Sequence, residues 1–178
     1  MSLRKTTAVL VATALLAAGH AMAQQPAAPA NPLDVIPDQM PFSTPYGPPI
    51  ALQRAQTAIQ ATIAEATKRG WAVDIAVLDS GGNLVAFSRM DGALLGSIAV
   101  AQHKARTAVK FRRPTKAFED AVQRLDLKTT LTIDDVIASR GGIPLIEDGK
   151  IIGAIGCSGG ASSQDEAVCM AGAATINK

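Results

Sequence analysis

Hydrophobic and polar positions follow a helical period first, from Ile50 to Arg69. Leu52, Ala55, Ile59, Ile63 and Ala66 recur close to every 3.6 residues, with Pro49 just ahead and Gly70 just behind. From Trp71 to Asp79 the pattern alternates and is rich in β-branched residues. Ser80-Gly81-Gly82-Asn83 is a turn cluster, and Leu84 to Met90 alternates again, so the pair predicts a β-hairpin. Gly96 to Phe111 is Ala-rich and helical, and Pro114 ends it by disfavouring helix at Arg113. Thr115 is placed to cap a further helix running through Leu125.

Between Asp126 and Arg140 the pattern fits either a helical turn or the approach to a strand. Ile143 to Glu147 and Lys150 to Cys157 are apolar runs joined by Asp148-Gly149, a strong hairpin signal. Ser158 to Ser163 is a small-residue loop, and Gln164 to about Ile176 predicts a closing helix with Asp165 and Glu166 in its first turn. Two hairpins and no βαβ repeat predict an α+β domain with a mainly antiparallel sheet flanked by helices, not a dinucleotide-binding layout.

The first 49 residues do not join this pattern. Arg4 and Lys5 precede an apolar stretch, Ala8 to Ala18, that is too short to span a bilayer, and Ala21-Met22-Ala23 is a signal-peptidase site. Residues 1–23 therefore read as a signal peptide, and a periplasmic or secreted address follows. Residues 24–49 are a Pro/Ala-rich extended leader whose end docks on the domain formed by residues 50–178. No second apolar run is long enough for a membrane anchor.

Cleavage changes the charge: Lys plus Arg falls from 17 to 15, against 15 Asp plus Glu. A neutral mature chain, from a sequence with 3% aromatic residues overall, lacks the basic balance and stacking surfaces of a nucleic-acid binder. The expected partner is a small molecule. Cys157 and Cys169 are the only cysteines; an oxidising compartment permits a bridge, but the preferred reading is two small buried apolar residues.

Candidate chemistry is sparse. Gly156-Cys157-Ser158-Gly159-Gly160 matches the G-x-S-x-G nucleophile elbow, yet that chemistry requires a histidine after the serine, and His103 precedes it. The same loop also reads as an anion site made of backbone N–H groups and a helix N-terminus, or as a tight connection that binds nothing. Two cysteines and one mature histidine do not make a zinc site, and phosphate-binding fingerprints are absent. His103, Lys104, Arg106, Lys110, Arg112 and Arg113 make one helix and its exit locally basic, which is either an anion-attracting region or a solvated face. His103 is correspondingly a haem ligand or a surface histidine.

Three blocks taken in order carry a resemblance: Met90-Asp91-Gly92-Ala93, Lys104-Ala105-Arg106-Thr107-Ala108, and Gly141-Gly142-Ile143-Pro144 leading to Gly153-Ala154-Ile155-Gly156-Cys157-Ser158-Gly159-Gly160 with Asp165. From about Ile50 onward the chain resembles the GlcG/HbpS-like family of haem-binding, haem-degrading proteins. It is also similar to the C-terminal domain of PduO-type corrinoid adenosyltransferases. The resemblance implies a profilin-like fold with about five strands, a homo-oligomer and, as in some members, haem or corrinoid-related binding, with haem the cofactor expected here.

It places Arg89, Asp91 and Lys104 at anion-site or structural positions, with Ser158, Gly159, Gly160 and Asp165 in the loop beside them; iron ligands differ between family members, and in the haem reading His103 or a nearby oxygen approaches the iron. Cys157 departs from the family, whose loop often has valine there. The expected function is exported haem binding, with haem sensing or degradation attached. The alternative is a small-carboxylate-processing enzyme using Asp91 or Asp165 as general acid/base, or an accessory protein of a periplasmic catabolic oxidation system. Lys104 and the glycine loop are expected to converge on one pocket for an anionic guest.

Overall fold

The computed structural model describes residues 36–177; the expected signal peptide and the first part of the leader, residues 24–35, lie outside them. Eight elements follow in order: α1 (Leu52–Arg69), β1 (Asp74–Asp79), β2 (Leu84–Arg89), α2 (Ser97–Lys110), α3 (Lys116–Leu125), β3 (Gly142–Glu147), β4 (Lys150–Ser158) and α4 (Ser162–Ala173). The strands form one antiparallel sheet in the order β2-β1-β4-β3. The α+β architecture stands as the alternating patterns predicted. Strand number is corrected to four among the described residues, because the ambiguous stretch between α3 and β3 forms only a short 3₁₀ turn, Lys128–Thr132, and irregular chain.

Alternation along β1 divides the interior. Ile75 and Val77 face α1 and α4, in a core with Ala55, Ala58, Ile59, Ile155, Val168 and Cys157. Ala76 and Leu78 face the other way, onto Ala101 and Ala105 of α2. That second layer is thin because the sheet offers α2 a bed of glycines. A Cβ on Gly156 would fall 2.1 Å from the Ala101 carbonyl oxygen, and one on Gly142 would fall 2.2 Å from that of Lys104. Backbone therefore meets backbone, and α2 is fixed in place by contacts that no side chain larger than hydrogen permits.

Turn chemistry is local. The Asp79 carboxylate accepts from the N–H groups of Gly81 and Asn83 at 2.8 and 2.9 Å, closing the first hairpin. Asp148 and Gly149 both take positive φ, 49° and 71°, as a two-residue Asp-Gly connection requires. Thr115 does not cap α3 with its side chain. Its hydroxyl instead accepts from the Gly142 N–H at 2.9 Å, a long-range bond that outcompetes the local one because Gly142 would otherwise be a buried, unpaired donor.

The end of the leader docks as expected. Strand β4 outruns β1, whose Asp79 pairs with Gly153, and the exposed backbone at Ile151 and Ile152 pairs with Pro45, Gly47 and Ile50. Tyr46 Oη donates to the Val109 carbonyl at 2.9 Å, the Arg112 guanidinium lies 4.5 Å from the Tyr46 ring, and Arg113 is sandwiched between Phe42 and Phe118 at 3.9 and 4.3 Å. Arg112 and Arg113 thus clamp this strap to the end of α2.

Cys157 and Cys169 form a disulfide between β4 and α4, with Cα atoms 5.7 Å apart. The preferred reading of two unpaired buried cysteines is corrected. Both are buried as that reading held, but strand and helix bring the two positions within bridging distance, which their spacing in the chain does not reveal.

Candidate functional site

The glycine turn after β4 and the middle helix do converge, and the group they converge on belongs to the protein itself. Lys104 Nζ donates to Asp165 Oδ2 at 2.7 Å, with both side chains 2% exposed. Asp165 Oδ1 accepts from the Gly160 N–H at 3.0 Å, and Gln164 Oε1 accepts from the Ala161 N–H at 2.9 Å. The amides and the cation expected around a ligand carboxylate therefore surround a resident one. Asp165 stands in the first turn of α4, where the helix dipole favours a negative charge. Gly141 passes beside the pair with φ 114°, and a Cβ there would sit 2.9 Å from Asp165 Cβ and 3.2 Å from Lys104 Nζ.

Around this internal pair the loop lines a cleft of about 270 Å³. Its walls come from Trp71, Val73, Gly92, Leu94, Gly159 and Gln164, among others. A second, more polar cleft of about 340 Å³ is lined by Arg89, Met90, Asp91 and Gly92. The blocks around Asp91-Gly92 and Gly159-Gly160 are distant in the chain but adjoin here through Gly92. Asp91 is exposed, and Ser158 is buried at the end of β4.

His103 lines neither cleft. It is half-buried on the outward side of α2 with Arg106, and Lys110 follows one turn later. Lys110 forms an ion pair with Asp135, which is held below the usual carboxylate range first by that hydrogen bond and then by the charges of Lys110, Arg106 and His103. Thr107, on the same helix, donates to the Asp135 carbonyl at 2.6 Å and accepts from the Ile137 N–H at 3.1 Å, docking this loop on α2. The basic helix thus divides into three uses: Lys104 inward to Asp165, Arg112 and Arg113 onto aromatic rings, and His103, Arg106 and Lys110 outward.

Asp74 was not singled out by the sequence motifs. It is fully buried at the start of β1, and neither carboxylate oxygen has a hydrogen-bond partner. Burial pushes its pKa up, and the charge of Arg89 opposes this. The available signal was an acidic residue inside an otherwise apolar strand pattern, at a position whose alternation faces the interior. Across the molecule, Glu119 is pushed up by burial but held lower overall, because the Arg140 backbone and side chain and Ser162 hydrogen-bond to it. Arg140 also reaches Glu166 at 3.5 Å, tying α3 to α4. No cluster of three His, Cys, Asp or Glu side chains suited to a metal ion occurs among the described residues.

Comparison with known proteins accounts for the ordered blocks. A family model described as haem degrading protein HbpS-like matches residues 50–174. Protein GlcG of Escherichia coli (strain K12) is 42% identical over 110 residues, covering 61% of this chain and 81% of that protein. Corrinoid adenosyltransferase PduO of Salmonella typhimurium is 35% identical over 109 residues, 59% of this chain and 32% of that enzyme.

Among solved structures, a double mutant of Streptomyces reticuli HbpS matches with a TM-score of 0.68 at 29% identity, over 81% of this chain and 97% of that one. PduOC in complex with haem matches with a TM-score of 0.65 at 30% identity, over 72% and 96% of the respective chains. With the model match spanning the whole sheet and all four helices, the chain belongs to the haem degrading protein HbpS-like family.

Proposed function

We propose that the protein binds haem through the outward face of α2. The observation that carries this reading is the order of side chains on and just before that helix. Leu94 and Leu95 are exposed at its entry, 62% and 73%, His103 follows at mid-helix, and Arg106 and Lys110 lie toward the far end. Haem has an apolar macrocycle, an iron that accepts imidazole and two propionates, so apolar groups just before the helix followed by imidazole and cationic groups along it fit haem. Lys104 does not take part, because Asp165 already neutralises it in the interior. Arg106 would pair with a propionate instead, His103 would offer its imidazole nitrogen to the iron, and haem, when bound, would supply redox chemistry.

The family membership and the haem complex of PduOC support the same reading. Export also belongs to the proposal. The basic pair, apolar run and A-x-A site in residues 1–23 support it, as does the Cys157–Cys169 disulfide, since such bonds persist in oxidising compartments. Exposed Leu94 and Leu95 support self-association into a homo-oligomer of profilin-like subunits. Haemin titration of the purified protein tests the central claim. A saturable Soret shift that His103→Ala abolishes and Arg106→Glu weakens is expected, and no saturable shift at micromolar haemin overturns the proposal.

A further inference from the structure

The two outer strands of the sheet are treated differently. Along β3 the chain seals its own edge. Gly142 donates to Thr115 Oγ1 at 2.9 Å and its carbonyl accepts from the Thr115 N–H at 2.9 Å. Two residues on, Pro144 has no N–H to leave open, and its carbonyl accepts from Asn177 Nδ2 at 3.0 Å. Asn177 Oδ1 accepts in turn from the Ile146 N–H at 2.7 Å, so one side-chain amide stands in for a neighbouring strand. No such seal covers β2.

The register fixes which groups of β2 point outward. The Met90 N–H bonds to the Val73 carbonyl at 3.1 Å, and bonded and unbonded pairs alternate along an antiparallel ladder. Ser88 and Ala86 therefore turn their backbone groups to β1, while Phe87 and Arg89 turn theirs away from it. No group among the described residues bonds to those outward N–H and C=O groups. Natural sheets blunt a free edge with proline, lysine or a covering element, and Leu84–Arg89 has no proline or lysine. Beside it lies a groove of about 600 Å³ between Val85–Ser88 and one face of α1. Gln53, Gln56, Thr57 and Gln60 form the helix wall, and no charged side chain lines the groove.

We propose that β2 pairs antiparallel with β2 of a second copy of this chain, about a two-fold axis at Ser88, joining two sheets into one. This deepens the homo-oligomer part of the function proposed above and rests on it. A two-fold contact must be complementary to itself. The β2 edge meets that condition, since each outward residue offers one donor and one acceptor, and each glutamine amide of the groove wall offers both. With the axis at Ser88, Phe87 faces Arg89 of the partner subunit and the two exchange both backbone bonds. Arg89 is then set opposite a ring rather than its own charge. Residues 24–35 of the leader are a poorer occupant, because Pro26, Pro29 and Pro32 break the row of donors that an added strand needs.

Cross-linking at the axis tests the interface. Ser88→Cys brings two like residues together at a Cα separation of about 4.5 Å, within disulfide range. Oxidation should convert that variant to a covalent dimer on a non-reducing gel, whereas Leu125→Cys, 63% exposed on α3, should stay a single chain. Phe87→Pro removes an outward N–H without breaking a bond to β1, and light scattering should find its mass lowered to about half that of the parent. If Phe87→Pro does not fold, the cross-link still decides, because cysteine is close to serine in size. A parent protein that scatters as a single chain at high micromolar concentration overturns both this interface and the homo-oligomer reading. An oligomeric parent in which Ser88→Cys cross-links no better than Leu125→Cys, or a folded Phe87→Pro with the parent's mass, overturns the interface alone.

Discussion

Lys104 and Asp165 are 61 positions apart in the chain and meet at 2.7 Å in the interior, joining α2 to the first turn of α4. Removing either partner strands the other charge away from water. Lys104→Met should therefore destabilise the protein by about 3–5 kcal/mol, the usual range for breaking a buried pair. Lys104→Met combined with Asp165→Leu should recover part of that loss. The recovery should be incomplete, because Asp165 also accepts from the Gly160 N–H, which then loses its acceptor. Urea unfolding of the two variants beside the parent measures both effects.

The disulfide closes the segment that carries Gly159, Gly160 and Asp165. Its contribution is chiefly to limit the unfolded chain, and for a loop of this length that amounts to about 2–4 kcal/mol. Cys157→Ala/Cys169→Ala should lower the unfolding free energy by that amount and make it insensitive to dithiothreitol. A parent protein equally stable with and without reductant contradicts the assignment.

The glycine bed beneath α2 leads to a steric prediction. In Gly156→Ala the new methyl meets the Ala101 carbonyl oxygen and the Ala105 backbone nitrogen at 2.1 and 2.5 Å, neither of which moves without shifting the helix. A loss of about 1–3 kcal/mol or more is expected, as for other overpacked sites. Gly149→Ala makes a useful contrast, since nothing lies within 4 Å of its Cβ and any cost there comes from positive φ alone. Thermal unfolding should rank Gly156→Ala as the more damaging.

Asp74 makes stability depend on pH in the direction opposite to a salt-bridged carboxylate. Its folded pKa is raised, first by burial, so the native state holds the proton more tightly than the unfolded chain. The associated stability is fully present below the unfolded value, about 4. It is lost as pH rises through the folded value. Asp74→Asn removes this term, so its stability relative to the parent should increase as pH rises above that unfolded value. Parallel urea midpoints for the two proteins at acidic and neutral pH contradict the expectation.

Local signals in the chain were sufficient for the elements. Periodicity located α1 to within two residues of its start, and Asp148-Gly149 announced the second hairpin. Each depends on neighbours a few residues apart, which is the range over which helical period, alternation and turn chemistry act. Where a distant group competed, local reading failed. Thr115 gave its hydroxyl to Gly142 rather than to its own helix, and the uncertain stretch after α3 gained no strand partner.

The site divides along the same line. Ordered blocks around Asp91, Lys104 and Gly159 were visible as sequence, and with them the family. Which charges remain available was decided only when the chain closed on itself. Tertiary packing joined Lys104 to Asp165, bridged Cys157 to Cys169 and left Asp74 unpaired between Arg89 and Ser158. The physical reason is that composition and spacing specify what a residue can bond with. Desolvation and proximity across the sheet determine what it does bond with, and both exist only in the folded state.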